Sequence, residues 1–181
     1  MHHLCTLGHC NIGIIGLDHS LFPICRERLS AIETGAAEHG LASGAMPYVD
    51  GWYGKADGVS LIRGLLAEHP ELTALVALND RLALDTMHVL RTMGVRVPQD
   101  ISVVGYDDLP QAADVIPGLT TINQGLHRWG ECAADMLLEI AAGGVPQPVV
   151  IQTGLVIRDS TAPPRSSQQH FDFRKSIRSL I

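Results

Sequence analysis

The chain has 181 residues and a formal net charge of −6, with 46% hydrophobic and only 4% aromatic residues. That length holds one well-buried domain, or a domain with a piece of another. The scarcity of aromatics makes the core aliphatic, which suits buried parallel strands under helices. The acidic balance excludes a chain that grips DNA by itself, because neutralising phosphates takes a basic stripe.

Short apolar runs alternate with longer amphipathic ones. Residues 11–17 (NIGIIGL) read as an isoleucine-rich strand followed by a polar loop. Residues 26–39 place Leu29, Ile32 and Ala36 on one helical face and stop at Gly40, a residue suited to the left-handed position after a helix. A weaker strand over 46–49 leads into the loop Asp50-Gly51-Trp52-Tyr53-Gly54. Residues 56–69 are helical, with Val59, Ile62 and Leu66 on one stripe and Pro70 as terminator. The next buried strand is 73–78 (TALVAL), after which Asn79 or Asp80 caps a helix carrying Ala83, Met87 and Leu90 on one face before Gly94. Residues 101–106 (ISVVGY) form a strand ending in Asp107-Asp108, and 119–122 (LTTI) a short one. A helix over 126–142 has Leu126, Trp129, Ala133, Leu137 and Ile140 on one side, and 149–157 closes the ordered part. Past Pro163-Pro164, residues 165–181 carry few strand or helix signals and read as a mobile tail. The alternation implies right-handed crossovers and a parallel sheet flanked by helices, an α/β fold.

Cys5, Cys10, Cys25 and Cys132 make no CxxC pair or regular framework, so reduced thiols of a cytoplasmic protein are expected. The opening Met1-His2-His3-Leu4-Cys5 has neither the basic start nor the apolar run of a signal peptide. No stretch approaches a membrane span, and no membrane partner is expected. His2, His3, Cys5, His9 and Cys10 fit no standard zinc spacing, so no metal or other cofactor is assigned. Asp107 and Asp108 are adjacent on one loop, an unsuitable arrangement for an acid and a base that must straddle a bond. No nucleophile elbow or phosphate loop is visible, and a non-enzymatic chain is the reading.

In open α/β sheets, ligands bind outside the carboxyl ends of the strands. The residues that follow the strands are Arg26 and Arg28; Asp50, Trp52 and Tyr53; Asn79 and Asp80; Asp107 and Asp108; and Gln124. Such a rim matches a neutral polyol. Carboxylates accept from paired hydroxyls, a guanidinium donates a fork, an amide does one of each, and an aromatic face covers a sugar's C–H side. Each residue also has a plainer reading: Asn79 or Asp80 as a helix cap, Asp107-Asp108 as a turn before Pro110, Trp52 as a small lid, Arg28 as a solvated helix residue.

Residues 77–124, ALNDRLALDTMHVLRTMGVRVPQDISVVGYDDLPQAADVIPGLTTINQ, resemble the effector-binding core of the lactose/galactose-repressor family of transcription regulators. The similarity continues through Gly130 to LVIRDSTAPP at 155–164, and upstream the Leu7-Gly8-His9 run before the strand at Ile12 is similar too. The resemblance implies a type I periplasmic-binding-protein-like fold, incomplete and mainly its C-terminal subdomain. Residues 1–124 would form that subdomain, 125–154 a return segment joining the N-terminal subdomain, 155–164 the final crossover, and 165–181 a disordered tail. It implies ligand contacts at Arg28, Trp52, Asn79, Asp107 and Gln124, although Ala31 stands where the family commonly has glycine after its arginine. The expected partners are a sugar-like small effector and a second copy, with dimerisation near 81–93 and 109–116. DNA would be met only through a helix-turn-helix head absent from this chain. By the same resemblance, the 126–142 helix would lie against the N-terminal subdomain and a strand around 149–154 would join that subdomain's sheet. The alternative is a stand-alone sugar-binding protein of the transport type.

Overall fold

The computed structural model describes residues 1–16, 23–41, 46–49 and 58–165. In chain order its elements are α1 (His2–Thr6), β1 (Ile12–Ile15), α2 (Pro23–Glu38), β2 (Tyr48–Val49), α3 (Gly58–Glu68), β3 (Ala74–Ala77), α4 (Asp80–Thr92), β4 (Ser102–Val104), α5 (Pro110–Asp114), β5 (Thr121–Asn123), α6 (Leu126–Ala141) and β6 (Gly154–Val156). Four strands form a parallel sheet in the order β2-β1-β3-β4. Beyond β4 the chain at Thr120 makes one parallel bridge to Val104, and β5 pairs antiparallel with β6.

The parallel strands read as unbroken apolar runs because both faces of the sheet are covered. All four residues of β1 and all four of β3 are buried. Alternate side chains divide between the faces. Ile12, Ala74, Val76 and Val104 join Leu4 of α1, while Ile14 meets Cys25 of α2. On the other face Ile15, Leu75, Ala77 and Val103 belong to the main core with Ile62, Leu66, Leu82 and Leu90 from α3 and α4. Helix α4 starts where its sequence says it should. Asn79 is extended, its Oδ1 accepts from the Leu82 N–H at 2.8 Å, and such a cap is worth about 1 kcal/mol.

Several expectations change. Two short helices, α1 and α5, lie where no helix was read; each has only 5 residues, too short for an amphipathic period to show. The last strand is confined to Gly154–Val156, and residues 145–153 form no strand. Its register puts Leu155 opposite Ile122 and Gly154 opposite Asn123, so it pairs antiparallel with β5. Arg165, placed in the tail by sequence, instead donates to the Asp100 and Pro70 carbonyls. The loop carrying Trp52 and the tail from 166 onward lie outside the described residues. Among the described residues, no helix is long and apolar enough to cross a membrane, and no group of three or more His, Cys, Asp or Glu gathers to hold a metal.

Candidate functional site

The carboxyl ends of β3 and β4 and the end of β5 come together at one rim, and α2 leans over it. Cys25 of α2 is buried against Ile14 and Leu78, which orients the helix so that Arg28, one turn on, reaches the strand ends. Its Nη1 donates to the Leu78 carbonyl at 2.5 Å. Its guanidinium carbon lies 3.9 Å from the centre of the Tyr106 ring, a cation–π contact. Its Nη2 stands 3.8 Å from Asp107 Oδ1, and its Nε is buried with no hydrogen-bond partner among the described residues.

Asp107 is held from several sides. Its N–H donates to the Ile122 carbonyl at 3.0 Å, and its Oδ1 accepts from Gln124 Nε2 at 2.5 Å. Burial pushes its carboxyl above the ordinary carboxylate value; Arg28 opposes that, Asp80 adds to it, and the Gln124 hydrogen bond pulls back down. The φ angles of Asp107 and Asp108 are +132° and +55°, a region that side chains rarely adopt. Such backbone persists where its surroundings over-determine it, as is common at binding sites. Here Asp108 accepts from Arg158 Nη2 and from Asn123 Nδ2, both at 2.6 Å, and Arg158 Nη1 also donates to the Leu119 carbonyl at 2.7 Å.

Below the rim, Asp80 is fully buried. It accepts from the Leu109 N–H at 2.8 Å and from the Thr121 hydroxyl at 2.5 Å, while its own N–H donates to the Tyr106 carbonyl. One carboxylate thereby ties α4, the turn after β4 and the start of β5 together. Gly105 must lack a side chain, because a Cβ there would overlap the Asp80 carboxylate.

The structure thus brings Arg28, Asp107 and Gln124 into one group, Asp107 facing the Arg28 guanidinium at 3.8 Å and accepting from Gln124 at 2.5 Å. Arg28 and Gln124 line a cavity of about 830 Å³, with Tyr106, Leu78, Ile122 and Leu155 among its apolar walls. Asn79 follows Leu78 at the same rim but its Oδ1 is committed to the α4 cap, and neither it nor Asp107 is among the cavity's lining residues. Trp52 lies outside the described residues. Sequence reasoning missed Tyr106 and Arg158. Tyr106 had a signal, an aromatic at a strand end beside Asp107; Arg158 had none, being 50 positions from the carboxylate it holds.

Residues 1–161 match the family described as the periplasmic binding protein-like domain. The chain belongs to that family. Among curated relatives, the chain is 35% identical over 137 residues to the transcriptional repressor PurR of Photobacterium profundum, covering 76% of this chain and 41% of that protein. Among solved structures, a LacI-family transcriptional regulatory protein of Corynebacterium glutamicum superposes with a TM-score of 0.73 at 32% identity, covering 90% of this chain and 62% of that one. A dimeric Lac repressor with an 11-residue C-terminal deletion gives a TM-score of 0.77 at 30% identity, covering 91% and 60%. The relatives are LacI-family transcriptional regulators, and the periplasmic binding protein-like domain they share with this chain is their effector-binding core. The chain spans less than half the length of the PurR relative.

Proposed function

We propose that this periplasmic binding protein-like domain senses a neutral, sugar-like effector for a transcription regulator and performs no chemistry on it. The observation that carries the reading is the convergence of Arg28, Asp107 and Gln124 beside a cavity of about 830 Å³ at the strand ends. Arg28 already has Asp107 as its counter-charge, so the group as a whole is close to neutral and favours a ligand that brings hydroxyls instead of an added charge. The Arg28 Nε is buried without an acceptor among the described residues, a cost of about 1–3 kcal/mol that a ligand oxygen reaching it would offset. Asn79 retains its amide nitrogen as a donor at the same rim. In a full regulator, ligand would favour one arrangement of the effector-binding core and alter the placement of DNA-reading heads. This chain contributes to DNA recognition only through such a head.

Self-association belongs to the same reading. A hollow of about 410 Å³ lies between α4 and the turn after α5, lined by Leu84, Met87, His88 and Val115, and Ile116 at its edge is 91% exposed. An exposed isoleucine beside an apolar hollow suits a twofold contact in which each copy fills the other.

A thermal-shift panel of pentoses, hexoses and phosphosugars tests the effector. A neutral sugar should raise the melting temperature of the wild type and leave that of Asp107→Ala unchanged. An equal shift in both proteins would remove Asp107 from the site, and a response confined to phosphosugars would reject the neutral ligand class.

A further inference from the structure

Two carboxylates stand side by side after β4, and two arginines divide them. Arg28 faces Asp107 at 3.8 Å, while Arg158 Nη2 donates to Asp108 Oδ1 at 2.6 Å. The amides beyond them are adjacent as well: Gln124 donates to Asp107, and Asn123 donates to Asp108 Oδ2. Both oxygens of Asp108 are thereby occupied, and Asp107 is the member of the pair grouped with Arg28. We propose that Arg158 is a positioning residue for the effector site. By holding Asp108, it keeps Asp107 turned toward Arg28 and Gln124. The inference deepens the proposed function and rests on its reading of Asp107 as an effector contact.

Arg158 acts from a rigid base. Its N–H donates to the Thr120 hydroxyl at 3.0 Å, and its carbonyl accepts from that hydroxyl at 3.2 Å. Thr120 is fully buried; its N–H donates to Ser160 Oγ, which in turn donates to the Val103 carbonyl of β4 at 2.6 Å. The guanidinium therefore extends from backbone tied to the central sheet, and its second arm holds the Leu119 carbonyl. The turn it grips is strained, with φ of +132° at Asp107 and +55° at Asp108. Hydrogen bonds from the Asp107 N–H to Ile122 and from the Leu109 N–H to Asp80 fix the two ends of that turn. Arg158 fixes the charged side chain between them, which is only 15% exposed. A carboxylate that deep without its counter-charge is costly, and swinging the turn outward to water relieves the cost. Asp107 shares the turn, so the same swing draws it away from Gln124 and Arg28.

The test uses the full chain and two readouts. The first needs no ligand: water exchange of the Gln124 side-chain amide protons, followed by NMR on nitrogen-15-labelled protein. Arg158→Met, which keeps the stem and removes the donors, should speed that exchange about tenfold or more. Arg158→Lys, which keeps a charge beside Asp108, should restore most of the protection. The backbone amides of Leu75 and Val76 in β3 should not change. Asp108→Asn should act in the same direction as Arg158→Met, and combining the two should add nothing, because Arg158 works through that carboxylate. The second readout is calorimetric titration with D-glucose, D-galactose and D-ribose. For a sugar that the wild type binds, Arg158→Met should raise the dissociation constant about tenfold, and Arg158→Lys should recover most of the loss. A wild type that binds none of the three would count against the proposed function, and the Gln124 readout would still decide the positioning. Unchanged Gln124 protection in Arg158→Met, equal acceleration at Leu75 and Val76, additive effects in the double variant, or unchanged sugar affinity would overturn the proposal.

Discussion

Gln124 donates from Nε2 to Asp107 Oδ1 at 2.5 Å, joining the end of β5 to the end of β4 across 17 positions of sequence. Because Asp107 is raised by burial, its folded-state pKa lies above its unfolded one. Ionising it therefore opposes folding: its contribution is most favourable below the ordinary carboxylate value, about 3.9, and is lost as pH rises through the folded value. Asp107→Asn should thus melt close to wild type at acid pH and gain on it as pH rises to neutrality, while losing effector binding. Thermal denaturation at stepped pH values checks this; a gap that narrows with rising pH would reverse the assignment.

Asp80 contributes through the buried donors it holds. Removing its carboxylate in Asp80→Ala leaves the Leu109 N–H and the Thr121 hydroxyl buried without their acceptor. The expected loss is about 3 kcal/mol or more, read as a lower urea midpoint. Gly105→Ala should destabilise through the same carboxylate, by about 1–3 kcal/mol. Combining the two should cost less than their sum, because the second change no longer meets the group it displaces.

His9 is buried between Thr73 Oγ1 and the Ala162 carbonyl, each 2.8 Å from a ring nitrogen. A carbonyl only accepts, so Nε2 carries the hydrogen and Nδ1 accepts from the Thr73 hydroxyl. Burial lowers the pKa of this imidazole; the Ala162 hydrogen bond opposes the shift. The unfolded chain then binds a proton more readily, so stability should fall as pH drops from about 6.5 toward the lower folded value. His9→Asn should flatten that part of the stability profile, as measured by urea unfolding between neutral and mildly acid pH. An undiminished slope would place the sensitivity elsewhere.

Arg158 anchors the left-handed turn at Asp108 and the Leu119 carbonyl together. Arg158→Ala should leave the main sheet intact and loosen β5 against β6. Amide exchange at Thr121 and Leu155 should rise about tenfold or more, while exchange at Leu75 and Val76 in β3 stays unchanged. Equal acceleration in β3 would show that the turn supports the whole domain.

Much of the fold was readable because it rests on local pattern. Four-residue runs such as 12–15 and 74–77 are wholly apolar because both sheet faces are covered, and Leu66, Met87 and Leu90 repeat at helical spacing because one side of each helix meets that sheet. Asn79 as a cap and the apolar stripe of α6 were legible for the same reason: each depends on neighbours a few positions away.

The sequence alone therefore settled the alternation of strands and helices, the aliphatic core and the rim where polar residues follow strands. Tertiary structure alone decided which of those residues touch. The Arg28 contact with Tyr106, the Arg158 grip on Asp108 and the antiparallel partner of β6 join segments far apart in the chain. Hydrophobic periodicity records which side of an element is buried. The pairing of one polar group with another depends on distances that only the packed elements set.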